Sequence, residues 1–231
     1  MPARTGERIP ILLLPGMDGT GELLDELAGK LSLGRRVHLV SYPLDQPLGY
    51  GALTALAAAQ APGEPFAVLG ESFSGPIAIE IAASHPFAAG LILASSFARH
   101  PLPSVLARFA RLLDLKRVPA RIVEAVLLGR TGTPELRARL AEVLAKVPSD
   151  VIQMRAAEAL RADVRHRLGQ AGCPVLCLHG RFDRVTGARC VREILAAQPR
   201  CRLRRFDAAH MLLETHAGEA AKVIGEFCDE L

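Results

Sequence analysis

Short apolar runs with no polar face alternate with helix-like stretches along this chain, and that rhythm constrains the fold more than any single residue does. Residues 9–14, 37–42, 66–70 and 90–94 are each of strand length. Between them, Leu23, Leu24, Leu27 and Leu31 recur at helical spacing and residues 50–60 are Ala-rich. Ile77, Ala78, Ile81 and Ala82 mark a further helix that stops near Pro86. A strand that is apolar on both sides is buried on both sides, as in a parallel sheet covered by helices. Strand–helix alternation of this kind builds βαβ units.

The rhythm changes over residues 96–172. One helical stripe runs through Leu102, Val105, Leu106, Phe109, Leu112 and Leu113. A second contains Ile122, Val123, Val126 and Leu127, and a third Leu136, Leu140, Val143, Leu144 and Val147. Pro119, Pro134 and Pro148 sit near the helix starts, where proline is tolerated. The strand pattern resumes at residues 175–178 and 202–206, and a final helix is expected over roughly 215–230. The expected class is therefore α/β, with a mostly parallel sheet of about six strands, helices on both faces and an inserted helical segment.

Charge follows the same division. Residues 1–95 carry a net −4, residues 96–172 a net +7 and residues 173–231 a net +1, within an overall +4. Half of the 231 residues are hydrophobic, which excludes wholesale disorder. Trp is absent and Tyr and Phe number only 2 and 8, which argues against base stacking on single-stranded nucleic acid. No zinc-type Cys/His spacing occurs. Cys173, Cys177, Cys190, Cys201 and Cys228 are odd in number and read as reduced, mostly buried thiols of a cytoplasmic protein. The opening apolar run is too short for a membrane span or a secretory segment.

The chemistry concentrates in Gly70-Glu71-Ser72-Phe73-Ser74-Gly75. A serine directly after a strand and before a helix, with small residues two positions to either side, suits a nucleophile on a tight turn. The usual pattern has Gly where this chain has Ser74; Ser is still small. Asp183, in His179-Gly180-Arg181-Phe182-Asp183, follows the strand after the insertion. His210 follows the last strand and precedes the final helix.

The order Ser, Asp, His, with the acid and histidine after late strands, resembles the α/β-hydrolase superfamily over nearly the whole chain. The resemblance implies a hydrolase core in residues 1–95 and 173–231 and a helical cap in 96–172. It implies Ser72 as nucleophile, His210 as base and Asp183 as the group orienting the histidine. Pro15-Gly16-Met17-Asp18-Gly19-Thr20-Gly21 is similar to the family's oxyanion loop, which implies that the backbone N–H groups of Met17 and Phe73 bind the oxyanion. A serine at this position argues against the aspartate chemistry of dehalogenase and epoxide hydrolase relatives.

The implied activity is hydrolysis of small carboxylic esters (EC 3.1.1) through an acyl-enzyme, with no cofactor, metal, nucleic acid or membrane span. Acyl-thioesterase or acyltransferase action on acyl-carrier-protein or CoA-linked substrates is the alternative. The basic cap suggests it, as in capped relatives such as pimeloyl-acyl-carrier-protein methyl ester esterase. The Pro15–Gly21 stretch also resembles plastid phytyl ester synthase-type acyltransferases. A non-catalytic binding protein of the same fold is a third reading. Among the other side chains, His38 and His179 are read as structural, Cys177 as apolar filler, and Glu71 and Glu214 as solvated or supporting.

Overall fold

The computed structural model describes residues 8–101 and 118–231. Its sheet has six strands, all parallel: β1 (Ile11–Leu14), β2 (Val37–Leu39), β3 (Phe66–Glu71), β4 (Ala88–Ala94), β5 (Val175–Gly180) and β6 (Arg202–Phe206). Their order across the sheet is β2-β1-β3-β4-β5-β6. The described helices are α1 (Asp25–Ser32), α2 (Tyr50–Ala58), α3 (Gly75–Ser84), α4 (Ala120–Leu127), α5 (Pro134–Lys146), α6 (Ser149–Ala159), α7 (Arg165–Gln170), α8 (Gly187–Ala197), α9 (Leu212–Thr215) and α10 (Ala217–Asp229).

The absence of a polar face along the strands has a direct structural counterpart. Leu12, Leu14, Val68, Leu91, Leu93 and Cys177 point into one core, with Leu53, Ile77, Ile81, Leu168, Cys190 and Ile194 from the helices on that side. Their neighbours Ile11, Leu13, Ala67, Leu69, Ile92, Leu176 and Leu178 point the other way, against Leu27, Leu31, Ala220, Ile224 and Phe227. Successive strand residues alternate between faces, so both sides of each central strand must be apolar. Truncating a leucine in such a core costs about 2–5 kcal/mol.

The segment between β4 and β5 holds α4 to α7. The second and third sequence stripes correspond to α4 and α5; the first, at residues 102–113, lies outside the described residues. Pro134 opens α5, and Pro119 and Pro148 immediately precede α4 and α6. Helix α6 has no counterpart among the sequence stripes. Its buried face is built from Val151, Ile152, Arg155 and Ala159, a short set that includes a cation. The expected final helix divides into α9 and α10. The expected strand at 37–42 ends at Leu39, and Val40 and Tyr42 are buried beyond it.

Because every strand runs the same way, every strand-to-helix loop at the C-terminal ends leaves one edge of the sheet. The chain reverses its direction of travel across the sheet between the adjacent strands β1 and β3. Such a switch point opens a crevice between the two loops that leave it, which here follow Leu14 and Glu71.

Candidate active site

Ser72 stands at the end of β3 with φ +47, in the left-handed region that an L side chain enters only under constraint. The constraint comes from close packing. A Cβ on Gly70 would sit 2.6 Å from the Ser74 carbonyl oxygen, and one on Gly75 would sit 1.7 Å from Ser96 Oγ. These two glycines let the chain fold back on itself. Ser96 Oγ donates to the Ser72 carbonyl (2.6 Å), which ties the turn to the end of β4. Ser74, where glycine is usual, contributes a hydroxyl that donates to the Pro15 carbonyl and pairs with Tyr42 Oη (2.7 Å). The departure from the usual pattern thus joins the serine turn to the loop after β1.

The structure brings Ser72, His210 and Asp183 into one hydrogen-bonded line. Ser72 Oγ is 2.7 Å from His210 Nε2, and His210 Nδ1 is 3.0 Å from Asp183 Oδ2. His210 and Asp183 are buried, whereas Ser72 is partly exposed. Gly180 permits the approach of the two late loops: a Cβ there would lie 2.1 Å from the Ala209 carbonyl oxygen. Arg181 N and Phe182 N donate to the carbonyls of Phe206 and Ala208, which fixes the loop that carries His210.

Asp183 is held by its own turn. Oδ1 accepts from the N–H groups of Val185 (2.8 Å) and Thr186 (3.0 Å), and Oδ2 accepts from Thr186 Oγ1 (2.6 Å). Burial raises its pKa, but the His210 charge and the hydrogen bonds from His210 and Thr186 outweigh burial and hold the carboxyl well below the usual range. An ionised carboxylate only accepts, so Nδ1 of His210 donates to it. Nε2 is then left with its lone pair facing the Ser72 hydroxyl, which is the arrangement a general base requires. His179 Nδ1 is 4.0 Å from Asp183 Oδ2, beyond hydrogen-bond reach. Burial lowers its pKa and keeps the ring neutral at neutral pH.

Met17 follows Gly16 in the loop after β1, and Phe73 follows Ser72. The loop lies against the serine turn: a Cβ on Gly16 would be 3.3 Å from Glu71 Oε2 and 3.6 Å from Asp18 Oδ2.

Of the two readings of Glu71 and Glu214, solvated or supporting, burial removes the first: both are buried, beside that loop. No bare sequence signal marks them, because α9 must fold back over the site before Glu214 meets Glu71. Among the described residues, neither carboxyl oxygen of Glu214 has a hydrogen-bond partner of normal geometry. Burial, and then the Glu214 charge, push the Glu71 pKa well above the carboxylate range. Burial also pushes Glu214 up, to about 7.

Both groups therefore keep their protons to higher pH in the folded chain than in the unfolded one. From the ordinary value of 4.5 up to about 7 the native state binds more protons, so stability falls as pH rises through that window. Glu214→Gln removes the titration while keeping the shape. Its urea midpoint is expected to rise at pH 8 by the equivalent of about 1–3 kcal/mol and to change little at pH 4.5. An equal change at both pH values would refute the assignment.

A parallel sheet that places a serine on a strained strand-to-helix turn, with an acid and a histidine after its last two strands, β5 and β6, defines an α/β hydrolase. Solved structures agree on the fold. An enol-lactonase from Burkholderia xenovorans superposes with a TM-score of 0.82 at 18% identity, covering 98% of this chain and 93% of that one. An esterase from Exiguobacterium antarcticum gives 0.85 at 15% identity, covering 97% and 93%. A bromoperoxidase from Bacillus anthracis gives 0.82 at 15%, also covering 97% and 93%. No curated protein matches the chain significantly in sequence. The family model described as serine aminopeptidase, S33 matches residues 50–215, and the chain belongs to that family of hydrolases. Among the described residues, no helix is long and apolar enough to cross a membrane.

Proposed function

We propose that this protein is a serine hydrolase that cleaves small carboxylic esters through an acyl-enzyme. The observation that carries the reading is the line from Ser72 through His210 to Asp183, with Ser72 on its strained turn. His210 takes the Ser72 proton as Oγ attacks the ester carbonyl. The Met17 and Phe73 N–H groups receive the oxyanion, each worth roughly 3 kcal/mol of transition-state stabilisation. His210 then passes the proton to the leaving alkoxide and activates water for deacylation. Asp183 orients the imidazole and stabilises its charged form. No step requires a metal or a cofactor. In this reading residues 96–172 serve as a cap on a hydrolase core of residues 1–95 and 173–231, and among the described residues the segment contributes α4 to α7. The five free thiols, most of them buried, fit a reducing, cytoplasmic setting.

Acyl transfer or thioester cleavage on acyl-carrier-protein or CoA-linked substrates is the second reading, favoured by the net +7 of residues 96–172. An acidic carrier would dock there by charge complementarity. Several of those cations are already engaged: Arg137 with Glu124, Arg139 with Asp25, Lys146 with Glu22 and Arg167 with Glu80. Arg121 and Arg130 are exposed at or just beyond the ends of α4 and are the side chains to meet such a partner.

One panel separates the readings. p-Nitrophenyl esters of graded acyl length and an acyl-carrier thioester are offered with and without an alcohol acceptor. Free acid as the sole product from the esters is expected, together with fluorophosphonate labelling of Ser72. A new ester in the acceptor arm, or preference for the carrier thioester, shifts the assignment to the second reading. Inertness toward every substrate and probe returns the third, non-catalytic one.

A further inference from the structure

We propose that Arg155 of α6 is a positioning residue for the oxyanion loop, so that a helix inserted between β4 and β5 sets the geometry of a donor contributed by the loop after β1. The inference rests on the reading that this loop supplies an oxyanion N–H.

Arg155 is 1% exposed, yet no carboxylate hydrogen-bonds its guanidinium among the described contacts. The donors of Nη1 and Nη2 go to backbone, while the buried Nε has no hydrogen-bond partner among the described residues. Nη1 donates to the carbonyls of Met17 (2.9 Å) and Asp18 (2.7 Å), and Nη2 donates to the carbonyl of Pro43 (3.0 Å). A buried cation is costly unless its donors are satisfied. This one spends all of its hydrogen bonds on the oxyanion loop and the segment beside it. Gly19 makes the room: at φ +74, a Cβ there would fall 2.4 Å from Nη1. The guanidinium also lies over the Tyr42 ring, 5.6 Å from its centroid.

The loop is held from both sides. Ser74 Oγ grips the Pro15 carbonyl from the serine turn, and Arg155 grips the next carbonyls but one. Between them, Gly19 N donates to the Gly16 carbonyl (3.1 Å). That bond fixes the plane of the Gly16–Met17 peptide, and in a trans peptide the N–H of Met17 points opposite to that carbonyl. The Met17 side chain packs against the cluster of Val147, just before that helix, with Val151 and Ile152 near its start. Three residues on from Arg155, Glu158 Oε2 accepts from Tyr50 N (2.9 Å), and Tyr50 Oη donates to the Phe73 carbonyl (2.9 Å). Both residues read as oxyanion donors are thus tied to α6, one directly and one through α2.

The test uses the full-length enzyme carrying Arg155→Ala or Arg155→Lys, with a trifluoromethyl ketone as tetrahedral-adduct analogue and the free acid product as ground-state ligand. Arg155→Ala is expected to lower kcat about 10- to 100-fold with KM within a few-fold, since a donor displaced by about an ångström loses most of its effect. Affinity for the ketone falls by the same factor and affinity for the acid does not. Millimolar guanidinium chloride restores kcat where sodium chloride at equal concentration does not. Arg155→Lys keeps the charge without the fork and is expected to lie between the two. If Arg155→Ala does not fold, the same split in Arg155→Lys decides the matter. Unchanged kcat and ketone affinity in folded variants, or equal loss of ketone and acid binding, overturn the proposal. Absence of turnover and of Ser72 labelling in the parent enzyme is a different result, and it defeats the ester-hydrolase reading itself.

Discussion

Ser72→Ala lowers kcat for p-nitrophenyl esters by a factor of roughly 10⁴ to 10⁶ and abolishes fluorophosphonate labelling, because the attacking atom is gone while its surroundings stay in place. Alanine keeps the Cβ that already occupies the strained turn at φ +47, so the fold is not relaxed or reshaped. The hydroxyl lost is partly exposed, and its partner His210 keeps its bond to Asp183. Urea unfolding should therefore shift by no more than about 1 kcal/mol. A residual rate above the uncatalysed one is expected, since the proposed oxyanion donors at Met17 and Phe73 are left in place. Steady-state hydrolysis and gel-based labelling of the purified variant provide the measurement. Labelling that persists at the parent rate would identify another nucleophile and end the assignment of Ser72.

Asp183→Asn carries the second largest effect, roughly ten-thousand-fold in kcat, through the tautomer of His210. Oδ1 of Asp183 faces two backbone N–H groups, from Val185 and Thr186. An amide nitrogen cannot take that place, so the asparagine oxygen occupies it and the NH₂ turns toward His210. Nδ1 must then accept. The ring proton moves to Nε2, which donates to Ser72 and can no longer take its proton. The same change removes a pH-dependent stability term. The folded-state pKa of Asp183 is depressed, so its contribution is present above the unfolded value near ~3.9 and is lost as pH falls through the folded value. The variant should lose this component of acid unfolding and be less stable than the parent at pH 7. Kinetics at pH 7 and urea midpoints at pH 3 and pH 7 test both parts. Retention of parent kcat in a folded variant would remove Asp183 from the proposed mechanism.

The parts of this site legible in the sequence share one property: they sit where a periodic pattern ends. Ser72, Asp183 and His210 each follow an apolar run whose length and flanking residues mark it as a strand. In a parallel sheet all such ends lie on one edge. The small residue at 70 also marks the tight turn in the sequence, whereas the close approaches of Ser96 to Gly75 and of Ala209 to Gly180 emerge only in the structure. The departure at Ser74 was visible too, though its role as a tie to Pro15 was not.

Other features gave no such signal. Glu71 and Glu214 look like ordinary surface acids, being polar residues beside a turn and on a short helix. Their burial depends on α9 closing over the loop after β1. Arg155 reads as one of fourteen cations in a basic stretch, yet it contributes nothing to a basic surface.

From sequence alone, the chain determined its class, the succession of its strands and the three candidate groups that follow the third, fifth and sixth of them, because hydrophobic periodicity and chain order are local properties. Tertiary structure alone decided which charges are buried, which backbone carbonyls a distant guanidinium satisfies and which acids share a low-dielectric site. Desolvation and hydrogen bonding depend on what packs around a group, and residues more than a hundred positions away supply that packing here.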